Sequence, residues 1–195
     1  MSMSSGAPPK NESRVAALAR RDALSVQERA DGALALAARM PPLDVTPSTI
    51  VAGYAPIRSE IDPMQLMQAF AARGAALAMP VISARNVSLV FRRWTPGDAL
   101  VRGAFGISEP SATASEVVPD IVLVPLAAFD RVGHRIGYGA GYYDRTLAWL
   151  RQHKTITAIG LAFAVQEIPQ VPALSHDVRL DYVLTEADLF GFRGP

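Results

Sequence analysis

Cysteine is absent from this chain of 195 residues. Its absence excludes disulfide scaffolds, thiolate zinc sites, iron–sulfur clusters and cysteine nucleophiles. Long apolar runs are missing as well. Although 50% of the residues are hydrophobic, the apolar runs have the length of strands, well below the roughly 20 residues that a membrane span requires.

Neither sign of charge dominates, since 19 basic residues face 18 acidic ones and leave a formal charge of +1. Dedicated nucleic-acid-binding and membrane-surface proteins normally carry a basic patch, so this balance argues against both classes. The first residues, MSMSSGAPPK, lack a charged region followed by an apolar one. We therefore expect no secretory signal, a disordered tail over residues 1–9 and a cytoplasmic protein.

Helical composition dominates residues 10–39, where leucines lie among alanines, arginines and Glu28. Ser25 followed by Glu28 is a capping-box pattern, so we predict two helices with a boundary at Ser25. Asp62 and Pro63 mark the start of a third helix. The sequence predicts a fourth helix over residues 141–152.

Short apolar segments alternate with these helices and predict strands over residues 49–54, 77–82, 88–94, 120–125, 155–163 and 181–185. The alternating pattern of the third segment favours an antiparallel neighbour, and residues 100–119 are predicted as a loop. Strands that alternate with helices form layered α/β folds. We therefore predict one domain over residues 10–195, a Rossmann-like, mostly parallel sheet flanked by helices, with an N-terminal helical segment.

The segment with the most candidate functional residues lies between a buried strand and a helix. Its sequence is VPLAAFDRVGHRIGYGAGYYDRTL, over residues 124–147. Open α/β sheets bind their ligands at such positions. Gly137, Gly139 and Gly141 alternate directly before the helix, whose free N–H groups favour an anion such as phosphate. Their spacing matches neither familiar nucleotide-binding fingerprint. A phosphate-binding loop and a plain tight turn both remain open.

Charged side chains flank this glycine loop. Arg135 and Arg145 suit a polyanion and are equally compatible with ordinary surface charge. Asp144 lies in the first helical turn, where a carboxylate is favourable for dipole reasons and would also suit Mg²⁺ beside phosphates. Asp130 and Gly133 fit positions i and i+3 of a type I turn, so we interpret Asp130 as structural.

The same stretch resembles the signature of the 5-formyltetrahydrofolate cyclo-ligases, also called methenyltetrahydrofolate synthetases. Matching positions are Phe129, Asp130, Gly133, Arg135, Gly137, Gly139, Gly141, Tyr142, Tyr143, Asp144 and Arg145. Ile136 replaces the usual leucine, and Ala140 stands where glycine or lysine is common. The resemblance covers essentially the whole chain after Pro9, including Lys10 and Arg14, residues 59–63, residues 96–110 and residues 161–186.

This resemblance implies an enzyme that converts 5-formyltetrahydrofolate and ATP into 5,10-methenyltetrahydrofolate, ADP and phosphate, with Mg²⁺. Phosphorylation of the formyl oxygen would create a leaving group, which the folate N10 would displace. Such an enzyme positions its substrates and neutralises charge, and it needs no covalent nucleophile. The resemblance further implies small-molecule substrates, and we expect a monomer that engages neither nucleic acid nor membranes.

Site residues carry over from the resemblance by position. ATP would be held by Lys10, Arg14, Arg135, Ile136, Gly137, Tyr138, Gly139, Ala140, Gly141, Tyr142 and Tyr143, of which Lys10, Arg135 and Tyr143 would also take part in catalysis. Mg²⁺ would be bound by Asp144 and Asp177. Folate would contact Ala55, Glu60, Tyr138, Gly139, Ala140, Gly141 and Tyr142. Tyr54 and Phe105 are further candidates for a wall against which the pterin stacks.

Three other readings of the sequence remain open. A sugar-phosphate isomerase or a relative of the CoA-transferases would use the same glycine loop for a phosphate without consuming ATP. A binding protein without turnover would keep the pocket, although its retention of Lys10, Arg14, Asp144 and Asp177 argues against such decay. A nucleic-acid-binding module is the third, and the balanced charge disfavours it.

Overall fold

A computed structural model describes residues 8–103, 105–175 and 177–192. The helices are α1 Lys10–Asp22, α2 Val26–Ala38, α3 Met64–Ala72 and α4 Tyr142–His153, and a short 3-10 helix covers Ala164–Gln166. The strands are β1 Ile50–Ala52, β2 Ala76–Val81, β3 Val90–Arg93, β4 Leu100–Arg102, β5 Ser108–Pro110, β6 Glu116–Val117, β7 Ile121–Pro125, β8 Ala128–Phe129, β9 Arg135–Ile136, β10 Thr157–Leu161, β11 Tyr182–Leu184 and β12 Leu189–Gly191. None of the helices in these ranges is long and apolar enough to cross a membrane. Of the tail expected over residues 1–9, only Pro8 and Pro9 belong to the described residues.

The main sheet has eight strands in the order β12-β11-β10-β7-β1-β2-β3-β6. The five central strands, from β11 to β2, pair in parallel. Antiparallel strands complete both edges. The predicted α/β fold with a mostly parallel sheet is therefore confirmed, and so is the antiparallel neighbour expected for β3.

Helices cover both faces of this sheet. Because successive residues of a strand point to opposite sides, Leu123 of β7 packs in one core cluster with Phe70 of α3. Its neighbour Val124 packs in the other cluster with Leu147 of α4. Both faces of β7 are thus covered, which explains why its sequence is apolar throughout instead of alternating between apolar and polar residues.

Helix boundaries follow the capping residues. The Ser25 hydroxyl accepts the Glu28 N–H at 3.1 Å, and the Glu28 carboxylate accepts the Ser25 N–H at 2.7 Å. This reciprocal pair confirms the predicted boundary between α1 and α2. At α3 the N-cap is Pro63 rather than the expected Asp62, and the Asp62 carboxylate accepts the N–H of Met64, the first helical residue, at 2.8 Å.

The prediction of a loop over residues 100–119 is wrong, because β4, β5 and β6 lie within it. These strands are two or three residues long and are surrounded by turn-forming residues, so they carry too few positions to show an alternating pattern. The β8–β9 hairpin and the edge strand β12 were not predicted, for the same reason.

The chain order creates a switch point in the sheet. From β1 the chain continues to β2 on one side, whereas β7, which lies on the other side of β1, continues to β10 and β11. Loops that follow two such neighbouring strands diverge and leave a crevice at their carboxyl ends. The candidate site occupies this position.

Candidate functional site

A cavity of about 770 Å³ opens at the carboxyl ends of β1, β2 and β7. Its wall contains Tyr54 and Ala55 after β1, Ile82 after β2 and Pro125 at the end of β7. The other predicted site residues in the wall are Lys10, Arg14, Glu60, Arg135, Gly137, Tyr138, Gly139, Ala140, Gly141, Tyr142, Tyr143, Asp144 and Asp177. One volume thus collects residues from the first to the last third of the chain.

The glycine loop turns directly into α4. Gly139 and Gly141 have φ angles of 100° and 67°, which residues other than glycine rarely adopt. Gly141 is the N-cap of the helix. Arg14 of α1 reaches across to the loop, where its Nε donates to the Gly137 carbonyl oxygen at 2.8 Å. The loop therefore presents backbone and helix N–H groups beside a cation, an arrangement suited to phosphate.

Two ion pairs lie in the same wall. Lys10 Nζ lies 2.5 Å from Asp177 Oδ2, and Arg135 Nη2 lies 2.6 Å from Asp144 Oδ1. The backbone N–H of Val178 donates to Asp144 at 3.2 Å, which brings the segment of Asp177 against the start of α4. The two predicted metal ligands, far apart in sequence, are therefore neighbours in the cavity wall.

The chemistry of this donor set fits Mg²⁺ only together with phosphates. Among the described residues, no group of three or more histidine, cysteine, aspartate or glutamate side chains is placed to hold a metal ion. Mg²⁺ is usually held by one or two carboxylates, with waters and substrate phosphates completing its shell. Asp144 and Asp177 supply this number of carboxylates beside the phosphate-type loop.

Burial controls the protonation of the catalytic candidates. It raises the pKa of Tyr143 well above its usual value, and the nearby Glu60 carboxylate raises it further. Tyr143 is therefore a neutral hydrogen-bond donor at physiological pH, and a poor base. Burial also lowers the pKa of Arg135, whereas the negative charges of Asp144 and Asp177 raise it. A guanidinium remains charged in such surroundings.

Glu60 and Tyr138 meet on another part of the wall. The Glu60 carboxylate accepts the Ile57 N–H at 2.8 Å, and the Tyr138 hydroxyl lies within hydrogen-bonding reach of it. Burial raises the pKa of Glu60. These hydrogen bonds and the positive charges of Arg21 and Arg58 offset only part of that rise. A carboxylate in this position is suited to accept N–H groups from a ligand.

Two predicted residues lie elsewhere. Ile136 is 0% exposed and belongs to a core cluster with Ala128 and Val171. Its side chain faces away from the cavity because it alternates with Arg135 in β9. Phe105 is exposed, lies near Arg85, and is not among the described residues that line the cavity.

Sequence reasoning missed Glu109 of β5 as a site residue. This side chain lines the cavity although the residue is only 6% exposed, and it accepts the Ile82 N–H at 3.0 Å. Gly103 makes room for it, since a Cβ at Gly103 would lie 2.2 Å from Glu109 Oε2. A glutamate between Ser108 and Pro110 was the available signal, but nothing local indicated which surface it would face.

Comparisons with known proteins agree with this geometry. The sequence matches the 5-formyltetrahydrofolate cyclo-ligase family over residues 7–186. It is 34% identical to a 5-formyltetrahydrofolate cyclo-ligase of Mycolicibacterium smegmatis over 90% of this chain and 93% of the relative. Identity to the Escherichia coli K12 protein of the same name is 32%, covering 88% and 97% of the two chains.

A solved structure shows the same fold. The NMR structure of Aquifex aeolicus 5,10-methenyltetrahydrofolate synthetase superposes with a TM-score of 0.77, at 30% sequence identity over 95% of this chain and 94% of that one. The glycine loop, the two ion pairs and the cavity at the switch point therefore occur in a chain that belongs to the 5-formyltetrahydrofolate cyclo-ligase family of enzymes.

Proposed function

We propose that this chain converts 5-formyltetrahydrofolate and ATP into 5,10-methenyltetrahydrofolate, ADP and phosphate in the presence of Mg²⁺. The observation that carries the proposal is the double contact of the glycine loop. Its Gly137 carbonyl binds Arg14 beside the ion pairs, while its Tyr138 hydroxyl faces Glu60. A single loop would therefore touch both a phosphate chain and a folate.

The proposed reaction needs an activated formyl group. The formyl oxygen attacks the γ-phosphorus of ATP and ADP leaves. N10 then adds to the formyl carbon and loses its proton, and the C–O bond to phosphate breaks to give the methenyl bridge. Charge builds on phosphate oxygens in the first and last steps, so catalysis consists mainly of positioning and charge neutralisation.

The phosphate-binding roles follow from placement in the cavity. Lys10, Arg14 and Arg135 would neutralise the phosphate chain, and the neutral Tyr143 hydroxyl would donate a hydrogen bond. Asp144 and Asp177 would hold Mg²⁺, which when bound would offset charge on the phosphate oxygens. Lys10 and Arg135, which pair with the two aspartates, both line the cavity in which the phosphate chain would bind.

The folate-binding roles fall to the opposite group of residues. The Glu60 carboxylate would accept N–H groups of the pterin, and Ala55, Gly139 and Tyr142 would line its path. Both substrates would bind to walls formed by one chain, and we therefore propose that residues 10–195 act as a single monomeric domain.

An absorbance assay tests the proposal. Purified protein is mixed with 5-formyltetrahydrofolate and Mg-ATP, and the near-ultraviolet absorbance of the methenyl product is followed. We expect product only when ATP and Mg²⁺ are both present. Absence of product while nucleotide still binds would contradict the proposed substrate, and absence of nucleotide binding would contradict the whole assignment.

A single substitution separates the two halves of the site. Glu60→Gln removes the negative charge with little change of shape, so it should raise the KM for folate more than the KM for ATP. Glu116→Gln on the edge strand β6, where the side chain is exposed and pairs with Arg92, is the matched control. An unchanged folate KM in Glu60→Gln would refute the role of this carboxylate.

A further inference from the structure

Arg21 is an arginine enclosed inside the protein at the end of α1. The residue is 1% exposed. Its Nε donates to Ser59 Oγ at 3.0 Å, its Nη1 donates to the Tyr138 hydroxyl, and the guanidinium carbon lies 5.8 Å from the centre of the Tyr138 ring. A side chain with this many fixed contacts has one orientation.

The buried charge of Arg21 needs a counter-charge. Burying a cation is costly unless an anion and hydrogen bonds compensate it. Asp22 lies 3.7 Å away, but its side chain is 59% exposed and water screens it. Glu60, next to Ser59 and within reach of Tyr138, is a half-buried carboxylate whose negative charge interacts favourably with Arg21 across the tyrosine hydroxyl.

The spacing along α1 shows what the helix delivers to the cavity. Lys10, Arg14 and Arg21 are four and seven residues apart, a spacing that places them on one face of a helix. At a rise of 1.5 Å per residue, Arg21 lies about 10 Å further along the axis than Arg14. Lys10 pairs with Asp177, and Arg14 donates to the glycine loop, where we propose that phosphate binds. Arg21 donates to Tyr138 beside Glu60, where we propose that folate binds.

We propose that Arg21 is a positioning residue for the folate substrate, which holds the Tyr138 hydroxyl in place and keeps Glu60 as a charged acceptor. The proposal rests on the function proposed above. Arg21 is not among the residues that line the cavity, so we expect it to touch neither substrate. It acts through Tyr138 and Glu60, both of which line the cavity.

The electrostatics around Glu60 support this role. Burial raises the pKa of Glu60, and the Arg21 charge and the Tyr138 hydrogen bond lower it. The titratable and charged groups that face Glu60 are Arg21 of α1, Tyr54 after β1, Arg58 of its own loop, Tyr138 of the glycine loop and Tyr143 of α4. Arg58 is the other cation of this set, so loss of Arg21 would let Glu60 take up a proton at higher pH. A protonated Glu60 is a weaker acceptor for pterin N–H groups.

The test compares Arg21→Met, which keeps length and removes charge, with Arg20→Met as the matched control. Arg20 is the adjacent residue on α1 and donates to the Val165 and Glu167 carbonyls away from the cavity. The KM values for folate and ATP are measured between about pH 4.5 and 8.5, a range that extends upward from the ordinary pKa of a glutamate. Binding of 5-formyltetrahydrofolate is measured by calorimetry at the two ends of this range.

We expect Arg21→Met to raise the folate KM about tenfold or more at neutral pH, because a hydrogen bond from a charged group is lost. The ATP KM should stay within about twofold of the parent value, well below the effect expected of a lost phosphate contact. The pH below which folate binding weakens should rise. Arg21→Lys keeps the positive charge and should therefore show only part of these changes. Arg20→Met should leave the pH profile unchanged.

Several results would overturn the inference. An unchanged folate KM and pH profile in folded Arg21→Met would do so, as would equal increases in both KM values, which indicate a merely structural role. If Arg21→Met does not fold, Tyr138→Phe carries the test, since it removes the hydroxyl and should shift the same pH profile. An active parent enzyme with unaffected variants refutes this inference alone, whereas an inactive parent that binds no folate refutes the proposed function and this inference together.

Discussion

Replacing Asp144 by asparagine should destabilise the protein far more than the same change at Asp177, although both are proposed ligands of one metal. The difference lies in the cation that each change leaves behind. The Arg135 side chain is 3% exposed, whereas that of Lys10 is 26% exposed and sits at the start of α1. Lys10 can turn into solvent after its partner is neutralised, and Arg135 cannot.

The magnitude follows from burial. Removing one partner of a fully buried ion pair costs about 3–5 kcal/mol. Because Asp144 is itself 28% exposed, we expect roughly 2–3 kcal/mol for Asp144→Asn, including the lost attraction to the N-terminus of α4. Asp177 is 10% exposed, but its partner Lys10 can reach solvent, so we expect about 1 kcal/mol for Asp177→Asn, which is the matched control. For a chain of this size, these values correspond to a Tm lower by about 5–10 °C and by about 2–4 °C.

The measurement is thermal unfolding of both variants and the parent in the presence of a chelator, so that bound metal contributes nothing. Urea unfolding at one temperature supplies the free energies. Equal losses of Tm, or a larger loss for Asp177→Asn, would refute the reasoning from the buried guanidinium. In the absorbance assay, both variants should require more Mg²⁺ for half-maximal rate, and normal activity at limiting Mg²⁺ would rule out that role.

Two further predictions concern other parts of the molecule. Ser25→Ala removes the capping box and should lower the free energy of unfolding by about 1 kcal/mol, with both KM values unchanged; an unchanged urea midpoint would contradict it. Gly160→Ala places a Cβ 2.5 Å from Leu180 Cδ1 and 2.7 Å from Leu126 Cδ2 in the core, so it should cost about 1–3 kcal/mol in urea unfolding.

Short-range patterns determined much of the fold. The capping box at Ser25 and the apolar β7 are each written within a few consecutive residues, because helix caps and buried strands depend on immediate neighbours. The glycine loop before α4 is equally local, since a positive φ angle at Gly139 or Gly141 requires that residue type at that position. Such features could be predicted without knowing what packs against them.

The short strands could not be predicted in this way. In β4 and β5, the partner residues rather than the residues themselves decide that a strand forms. Glu109 lies on β5, so its place in the cavity depends on how that hairpin folds back on the sheet. The Gly103 position, which leaves space for the carboxylate, acquires its meaning only there.

Pairing between distant segments was decided by tertiary structure alone. The sequence by itself supplied the residue types of the site, and the resemblance to a family supplied their expected roles. It did not place Asp177 beside Lys10, or Arg21 beside Tyr138, because no local rule relates residues on different elements. Nor did the sequence predict that the Ile136 side chain points into the core, because successive residues of a strand point to opposite faces. Those contacts form when the parallel strands align and bring α1, the glycine loop and the segment of Asp177 to one edge of the sheet.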